Sequence, residues 1–304
     1  MQFDRDTPVA FDATPSAVPR ADAPRLSHAR IPLLRPVEIL DQNGDRRTIE
    51  IPIERPLTLY VDKRELVTLM TLGAAPELLA LGYLLNQGLI TGAGDVDSID
   101  VDWEVSAAAV KTRRGRIDIA GRTAHRIVTT GCGQGTVFGA TMAELEAVRL
   151  PPAEHARIGR DTLACILELE RERRSVHRHA GSVHGCALYR GNASQVFTED
   201  VGRHNAIDTI AGWMAVHGIE GGDKVFYTTG RLTSEMVMKA ARMGVPIIVS
   251  RNGVTAMGHE LAARLGMTLF GRAGRRQFLC YCGFERFDAE SELENGPPVV
   301  VLAG

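Results

Sequence analysis

The sequence predicts an α/β fold: a second, larger α/β unit preceded by a smaller α+β unit. Two observations predict it. First, β-rich runs at 225–228 (VFYT), 246–250 (PIIVS) and 267–270 (MTLF) alternate with helical stretches at 233–243 and 254–265. Strand, helix, strand at these lengths implies βαβ units and a largely parallel sheet with covering helices. Second, the first hundred or so residues show strand-like alternation on both sides of one helical stretch, APELLALGYLLNQG at 75–88, which implies α+β.

The chain has 304 residues, 44% hydrophobic and 24% charged, with a net charge of −2. That composition suits a globular protein with a sizeable core. The charge gives no general attraction to nucleic acid or an anionic membrane. No run approaches the roughly 18 apolar residues a membrane span needs, and the first 24 residues lack the basic start and apolar core of an export signal. A cytoplasmic location follows as an expectation. Five scattered cysteines (Cys132, Cys165, Cys186, Cys280, Cys282) argue for free thiols rather than a disulfide framework.

The elements in order give five segments. Residues 1–28, with four prolines and few large apolar side chains, read as a disordered tail. The smaller α+β unit spans 29–126. It opens with a hairpin around Asn43-Gly44, then the 75–88 helix with Pro76 in its first turn and Gly88 at its end. Residues 127–152 read as a glycine-rich cysteine loop and linker. The α/β unit spans 153–284, with a helix from about 159 to 174, a hairpin turning at Gly191-Asn192, and a helix from about 205 to 217. That helix presents Ile207, Ile210, Ala211 and Met214 on one face. Residues 285–304 read as a loose acidic tail.

Candidate chemistry begins at Gly131-Cys132-Gly133-Gln134-Gly135. Flanking glycines leave the sulfur unshielded and the backbone free to bend. Lys111, Arg113, Arg114, Arg116, Arg122 and Arg126 precede it against the single acid Asp118, and nearby cations favour the reactive thiolate. A buried structural cysteine is the plainer alternative.

Three dense motifs follow: AGSVHGCALY (180–189), TEDVGRHNAIDTIAG (198–212) and TTGRLTSEMVMKAARMGVPIIVS (228–250). A strand's carboxyl end leading through glycine into a helix is where open α/β sheets bind anions. Arg231 stands at one such place, Arg203 and His204 beside Gly202 at another, and Arg272, Arg275 and Arg276 in the turn after 267–270. Together they suggest a pocket for a phosphorylated or nucleotide-bearing ligand. Each also has an ordinary use as a turn, a cap or a solvated charge, and His184 as a core histidine. Cys280 and Cys282 should share one strand face, about 7 Å apart, as two core thiols first and a metal or redox pair second. Neither a zinc-ligand constellation nor a dinucleotide glycine fingerprint is present.

TTGCGQG, AGSVHGCAL, EDVGRHNAID, the 228–250 block and TLFGRAGRRQFLCY resemble, in this chain order, the signature blocks of the FdhD family over roughly 50–285. The resemblance implies a cytidine-deaminase-like α/β/α sandwich, a homodimer and sulfurtransferase activity. A cysteine desulfurase would load sulfur onto Cys132 as a persulfide. The protein would then pass it to Mo-bis(molybdopterin guanine dinucleotide), bound as substrate, for the catalytic subunit of a formate dehydrogenase. It implies no permanent metal and leaves molybdenum or tungsten open. Residue by residue, Arg272, Ala273, Gly274, Arg275, Arg276 and Gln277 match the cofactor-binding segment. Arg231, His184 and His204 join it as expected site residues. The family loop carries a second cysteine where this chain has Gly135. Sulfur release would then need direct transfer or an outside reductant. A cofactor-binding chaperone without sulfur transfer is the alternative; a nucleotide hydrolase ranks below it, lacking a Walker lysine.

Overall fold

The structure, a computed structural model, describes residues 8–14, 17–113, 148–274 and 277–291. Its first part supplies eight strands and one helix. β1 (Phe11–Ala13) and β2 (Arg25–Leu26) come first. β3 (Leu34–Leu40) and β4 (Arg46–Pro52) form an antiparallel hairpin paired with no further strand among the described residues. Its turn follows the Asn43-Gly44 signal: Gly44 has φ +83°, and Asp41 Oδ1 accepts the Asn43 N–H at 2.9 Å. β5 (Arg55–Val61) and β6 (Arg64–Thr71) lead to α1 (Pro76–Asn86), and β7 (Val96–Asp102) and β8 (Ala107–Thr112) follow. The five-stranded sheet has the order β2-β7-β8-β5-β6. Alternate residues Leu57, Leu59 and Val61 of β5 face its core, as a period of two requires.

The tail expected at 1–28 is not a tail where it is described. β1 pairs antiparallel with a strand of the larger sheet, and β2 pairs parallel with β7. Strand addition at a sheet edge uses backbone donors and acceptors, so a segment poor in apolar side chains can still be ordered by it. Residues 1–7 and 292–304 lie outside the described residues.

The second part begins with β9 (Ile158–Gly159), α2 (Arg160–Glu172) and the short α3 (Val176–Ala180). β10 (His184–Arg190) and β11 (Ala193–Asp200) form the expected hairpin, with Gly191 at φ +57°. α4 (Arg203–His217), β12 (Lys224–Thr228), α5 (Ser234–Arg242), β13 (Ile247–Ser250), α6 (Ala256–Arg264) and β14 (Thr268–Gly271) follow. β15 (Leu279–Cys282) and β16 (Phe287–Asp288) end the described chain. The seven-stranded sheet runs β1-β11-β10-β12-β13-β14-β15. Only the β12-β13 and β13-β14 pairs are parallel. The sheet is therefore mixed rather than largely parallel. Its βαβ core was legible, but the hairpin β10-β11 and the edge strands β1 and β15 add antiparallel pairs.

Both faces of this sheet are covered. Cys186, Leu188, Phe226, Ile248 and Leu269 point into a core shared with α4 and α5. Ala187, Tyr189, Tyr227, Val249 and Phe270 point the other way, against Leu163, Ile166 and Leu167 of α2. α4 is buried on nearly every side, more than its single apolar face predicted. The reason is α1, which lies against it and carries the five-stranded sheet into the same core. The two helices touch backbone to backbone. A Cβ built on Gly82 would lie 1.7 Å from the Asp208 carbonyl oxygen, and one on Gly212 would lie 2.0 Å from that of Leu78. Beside the crossing, Asp208 Oδ1 accepts from Asn86 Nδ2 at 2.7 Å and Oδ2 from Lys239 Nζ at 2.6 Å. α1, α4 and α5 are thereby bound through one buried carboxylate.

Since neither backbone can retreat without opening that core, Gly82→Ala should cost about 3 kcal/mol or more, the upper end of overpacking effects. Thermal unfolding checks it: the variant should melt several degrees below the wild type, and an unchanged midpoint would show that the helices separate freely.

Candidate functional site

The motifs of the second part meet at one edge of the seven-stranded sheet, the carboxyl ends of β12, β13 and β14. β10 runs antiparallel to β12, so it starts at this edge with His184, and β11 ends there with Asp200, opposite His184. Hydrogen bonds lace the loops together. The Thr229 N–H donates to the Gly185 carbonyl at 2.9 Å, and the Gly185 N–H donates to Thr229 Oγ1 at 3.0 Å. Ser250 Oγ donates to the Gly230 carbonyl at 2.6 Å, and Asn252 Nδ2 to that of Thr229 at 2.7 Å. The Arg272 N–H reaches the Asn252 carbonyl at 2.8 Å, and the Ala273 N–H that of Ser250 at 2.9 Å.

Asp200 fixes the start of α4. Its Oδ1 accepts from the Gly202 N–H at 3.0 Å and from Asn205 Nδ2 at 2.9 Å. Its Oδ2 accepts from the Thr71 hydroxyl and from the Leu72 N–H at 3.3 Å. The Asp-Val-Gly-Arg-His-Asn motif is thus partly a joint between the two sheets. Burial still outweighs these donors and raises Asp200 to about 6. Glu199, next to it on the opposite face, accepts from the Val176 N–H at 2.7 Å and the His177 N–H at 3.1 Å. Burial raises it to about 7.

His184 is half-buried at the edge. Burial, then the charges of Arg203, His177 and Arg231, hold it below its ordinary value, so its imidazole is neutral at pH 7. Arg231 is exposed near it, and Arg272 is exposed farther along the edge, after β14. Arg272 has φ +50°, an unusual backbone for a residue with a side chain. Ala273 is 2% exposed and sits in the core under α2, so it anchors the turn. The Gly274 N–H closes that turn onto the Gln277 carbonyl at 2.8 Å, and Gln277 is exposed. Arg275, Arg276, Cys132 and Gly135 lie outside the described residues.

His204 departs from expectation. It is turned into the helix layer, where Nε2 lies 3.2 Å from Glu235 Oε2 without hydrogen-bond geometry. Burial, with Lys239, Arg203 and His184 around it, pushes it down to about 2. A first-turn residue can face inward as easily as outward, and here α5 occupies the inner side. Ser250, Arg251 and Asn252 also belong to this edge and escaped the sequence reading. A signal was present: Ser250-Arg251-Asn252-Gly253 at the end of β13 holds a hydroxyl, an arginine and a glycine, as Thr228-Thr229-Gly230-Arg231 does at the end of β12, in a different order.

The four described cysteines are all held toward the thiol form by burial. Cys186 is fully buried, lies 3.2 Å from Thr228 Oγ1 and is raised to about 12. Cys280 is raised to about 11, and Cys282 and Cys165 are also raised. Cys280 and Cys282 do not share a strand face. A register shift in β15 sends Cys282 into the core with α4 and Cys280 toward the α2 side. A cavity of about 680 Å³ lies at the far end of α4, between Asn86, Met214, Gly218 and Arg242, and shares no residue with the edge.

The model of the FdhD/NarQ family matches residues 52–288. The chain belongs to that family. Among its relatives is "Sulfur carrier protein FdhD" of Listeria innocua, 30% identical over 237 residues, covering 78% of this chain and 90% of the relative. The protein of that name from Geobacillus kaustophilus is 28% identical over 246 residues, covering 76% and 88%. Among solved structures, one described as a formate dehydrogenase accessory protein, from Desulfotalea psychrophila, superposes with a TM-score of 0.67. It is 26% identical and covers 84% of this chain and all of the other. No helix among the described residues is long and apolar enough to cross a membrane.

Glu199 makes the attachment of α3 to β11 pH-sensitive. Its folded value lies above its ordinary one, so the folded chain keeps a proton the unfolded chain has lost. The stabilisation is full below about pH 4, where both forms are protonated, and is lost as pH rises through about 7. Glu199→Gln should melt at a midpoint that falls less than the wild type's across that window. An equally steep fall would place the proton elsewhere.

Proposed function

We propose that this chain is a sulfur carrier in formate dehydrogenase maturation, taking sulfur on Cys132 and delivering it to a molybdopterin guanine dinucleotide cofactor at the sheet edge. The observation that carries the reading is the convergence of His184, Arg203, Arg231 and Arg272 on the carboxyl ends of β12 and β14 in a chain whose relatives bear the name sulfur carrier. Phosphate-bearing ligands bind at such edges, against backbone N–H groups and arginine forks. The protonated state of the other four thiols supports Cys132 as the carrier.

In the loading step the Cys132 thiolate attacks the outer sulfur of a desulfurase persulfide. A new S–S bond forms on Cys132, the donor's S–S bond breaks, and the desulfurase leaves as thiolate. In delivery the Cys132–sulfur bond breaks. Transfer of neutral sulfur to a reduced metal centre oxidises that centre by two electrons and returns the Cys132 thiolate. Release as sulfide needs two electrons from an outside reductant. With Gly135 in place of a second loop cysteine, the first route suits this chain better. That same glycine favours the second reading, a cofactor chaperone without sulfur chemistry.

Mass spectrometry after incubation with a desulfurase and free cysteine separates the two. Sulfur carriage predicts one added sulfur on Cys132, and its absence leaves the chaperone. Cys132→Ala should abolish maturation of the target dehydrogenase while leaving thermal unfolding unchanged; normal maturation in that variant overturns the proposal. Replacing Arg275 and Arg276 together should weaken GDP binding, and unchanged affinity removes those two from the pocket.

A further inference from the structure

Residue 230 is a glycine at the point where β12 hands over to Arg231, yet its backbone is not in the left-handed region. Conformation therefore does not require glycine there, and space does. A Cβ on Gly230 would lie 2.9 Å from Arg203 Cδ and 3.0 Å from Arg203 Cβ. The loop cannot draw back, because the Gly230 N–H is bound to Thr228 Oγ1 at 3.0 Å and its carbonyl to Ser250 Oγ at 2.6 Å. The contact involves the base of the Arg203 side chain, so an added methyl group would displace the whole side chain rather than its tip.

Arg203 is the first residue of α4 and 7% exposed. Its origin is fixed by Asp200, which holds the Gly202 N–H and the Asn205 amide. Its stem lies against Gly230, so the side chain runs along the edge loop between β12 and Arg231, and its charge acts on both His184 and His204. Arg231 stands outside it, exposed. An oxyanion entering at the edge meets Arg231 in solvent, then His184, and Arg203 at the inner end. There a charge-assisted contact is stronger for being desolvated.

We propose that Arg203 is the inner anchor for a phosphate or pyrophosphate group at the sheet edge, and that Gly230 is the positioning residue that lets it lie there. The proposal rests on the reading that this edge takes a phosphate-bearing ligand, and it names the residue pair on which that contact depends.

GDP, as a nucleoside diphosphate probe, tests it by calorimetry on the full chain, with thermal unfolding measured alongside. Gly230→Ala should bind GDP about tenfold more weakly, the scale of one hydrogen bond to a charged group, with its unfolding midpoint close to the wild type's. Gly253→Ala lies after the neighbouring strand, and a Cβ there meets nothing within 4 Å; it should bind as the wild type does. Arg203→Lys keeps the charge and loses the fork, and should weaken binding about as much. Adding Gly230→Ala to it should weaken binding by less than about twofold, because both changes remove one contact. Wild-type affinity in either single variant overturns the proposal, as does full additivity in the double variant. Should Gly230→Ala fold poorly, Arg203→Lys decides alone. Absence of GDP binding by the wild type overturns the edge reading, and the anchor with it.

Discussion

The Asp200 carboxylate is the constraint from which the rest of the arrangement follows. One oxygen holds the start of α4, and the other holds the Thr71 hydroxyl and the Leu72 N–H at the end of β6. β6 belongs to the five-stranded sheet and α4 to the layer over the seven-stranded one. A single side chain therefore sets the angle at which the two sheets meet and the place where Arg203 begins. Asn205 completes the joint by donating Nδ2 to the Met70 carbonyl at 2.7 Å. Burying a carboxylate is costly unless its lone pairs are filled, and here hydroxyl, amide and backbone donors fill them. The raised value of Asp200 shows that the cost is reduced and not removed.

The same logic repeats deeper in the helix layer. On α4, His204 and Asp208 are one turn apart; on α5, Glu235 and Lys239 are one turn apart. They meet as two rungs, His204 with Glu235 and Asp208 with Lys239. Both rungs are almost fully buried. Replacing such pairs by apolar side chains is often neutral or favourable for stability, so their presence is weak evidence of stabilisation. What they do supply is register. With Asn86 bound to Asp208, α1, α4 and α5 can slide past one another only by leaving a charge unpaired in the interior. The Gly82–Gly212 contact brings the helices close, and the polar rungs fix where along their length they meet.

Much of this was legible in the sequence. The α/β alternation after 220 was clear because glycine marks the helix ends: Gly218, Gly244 and Gly266 all adopt positive φ after α4, α5 and α6. The hairpins at Gly44 and Gly191 were legible for the same reason. Three features were not. β1 is held by backbone pairing at an edge, which leaves no side-chain pattern. The β15 register shift separates Cys280 from Cys282, although the spacing of two implies one face. α4 shows one apolar stripe, yet α1 buries its other side. β1 and α4 depend on partners far away in the chain, and the β15 shift on its pairing with β14, which the spacing of two does not record. At the candidate site, the motifs do meet at one sheet edge, but the orientation of the side chains within it was not legible in the sequence. His184 faces the edge and His204 faces inward, and nothing in Gly-Arg-His-Asn distinguishes the two outcomes. Cys132, the proposed sulfur carrier, rests on its glycine neighbours and on family resemblance, and lies outside the described residues.

The distribution of ionisable groups shows how the two tasks of the molecule are kept apart. Buried groups of the scaffold carry charges pushed toward neutrality: Asp200, Glu199 and Asp208 raised, His204 lowered, each with burial as the leading cause. Residues facing outward at the edge, Arg231, Arg251 and Arg272, are exposed. Between them lies His184, half-buried and neutral, with Arg203 and Arg231 acting on it. An anion at the edge would offset those two charges and favour the imidazolium. Ligand and proton would then bind together, and the edge would grip a phosphate more firmly as pH falls toward the ordinary range of histidine. The scaffold responds in the same direction, because its carboxyls are also most stable when protonated. The imidazole at the edge and the buried carboxyls of the scaffold therefore both gain protons as pH falls, through different residues of one sheet.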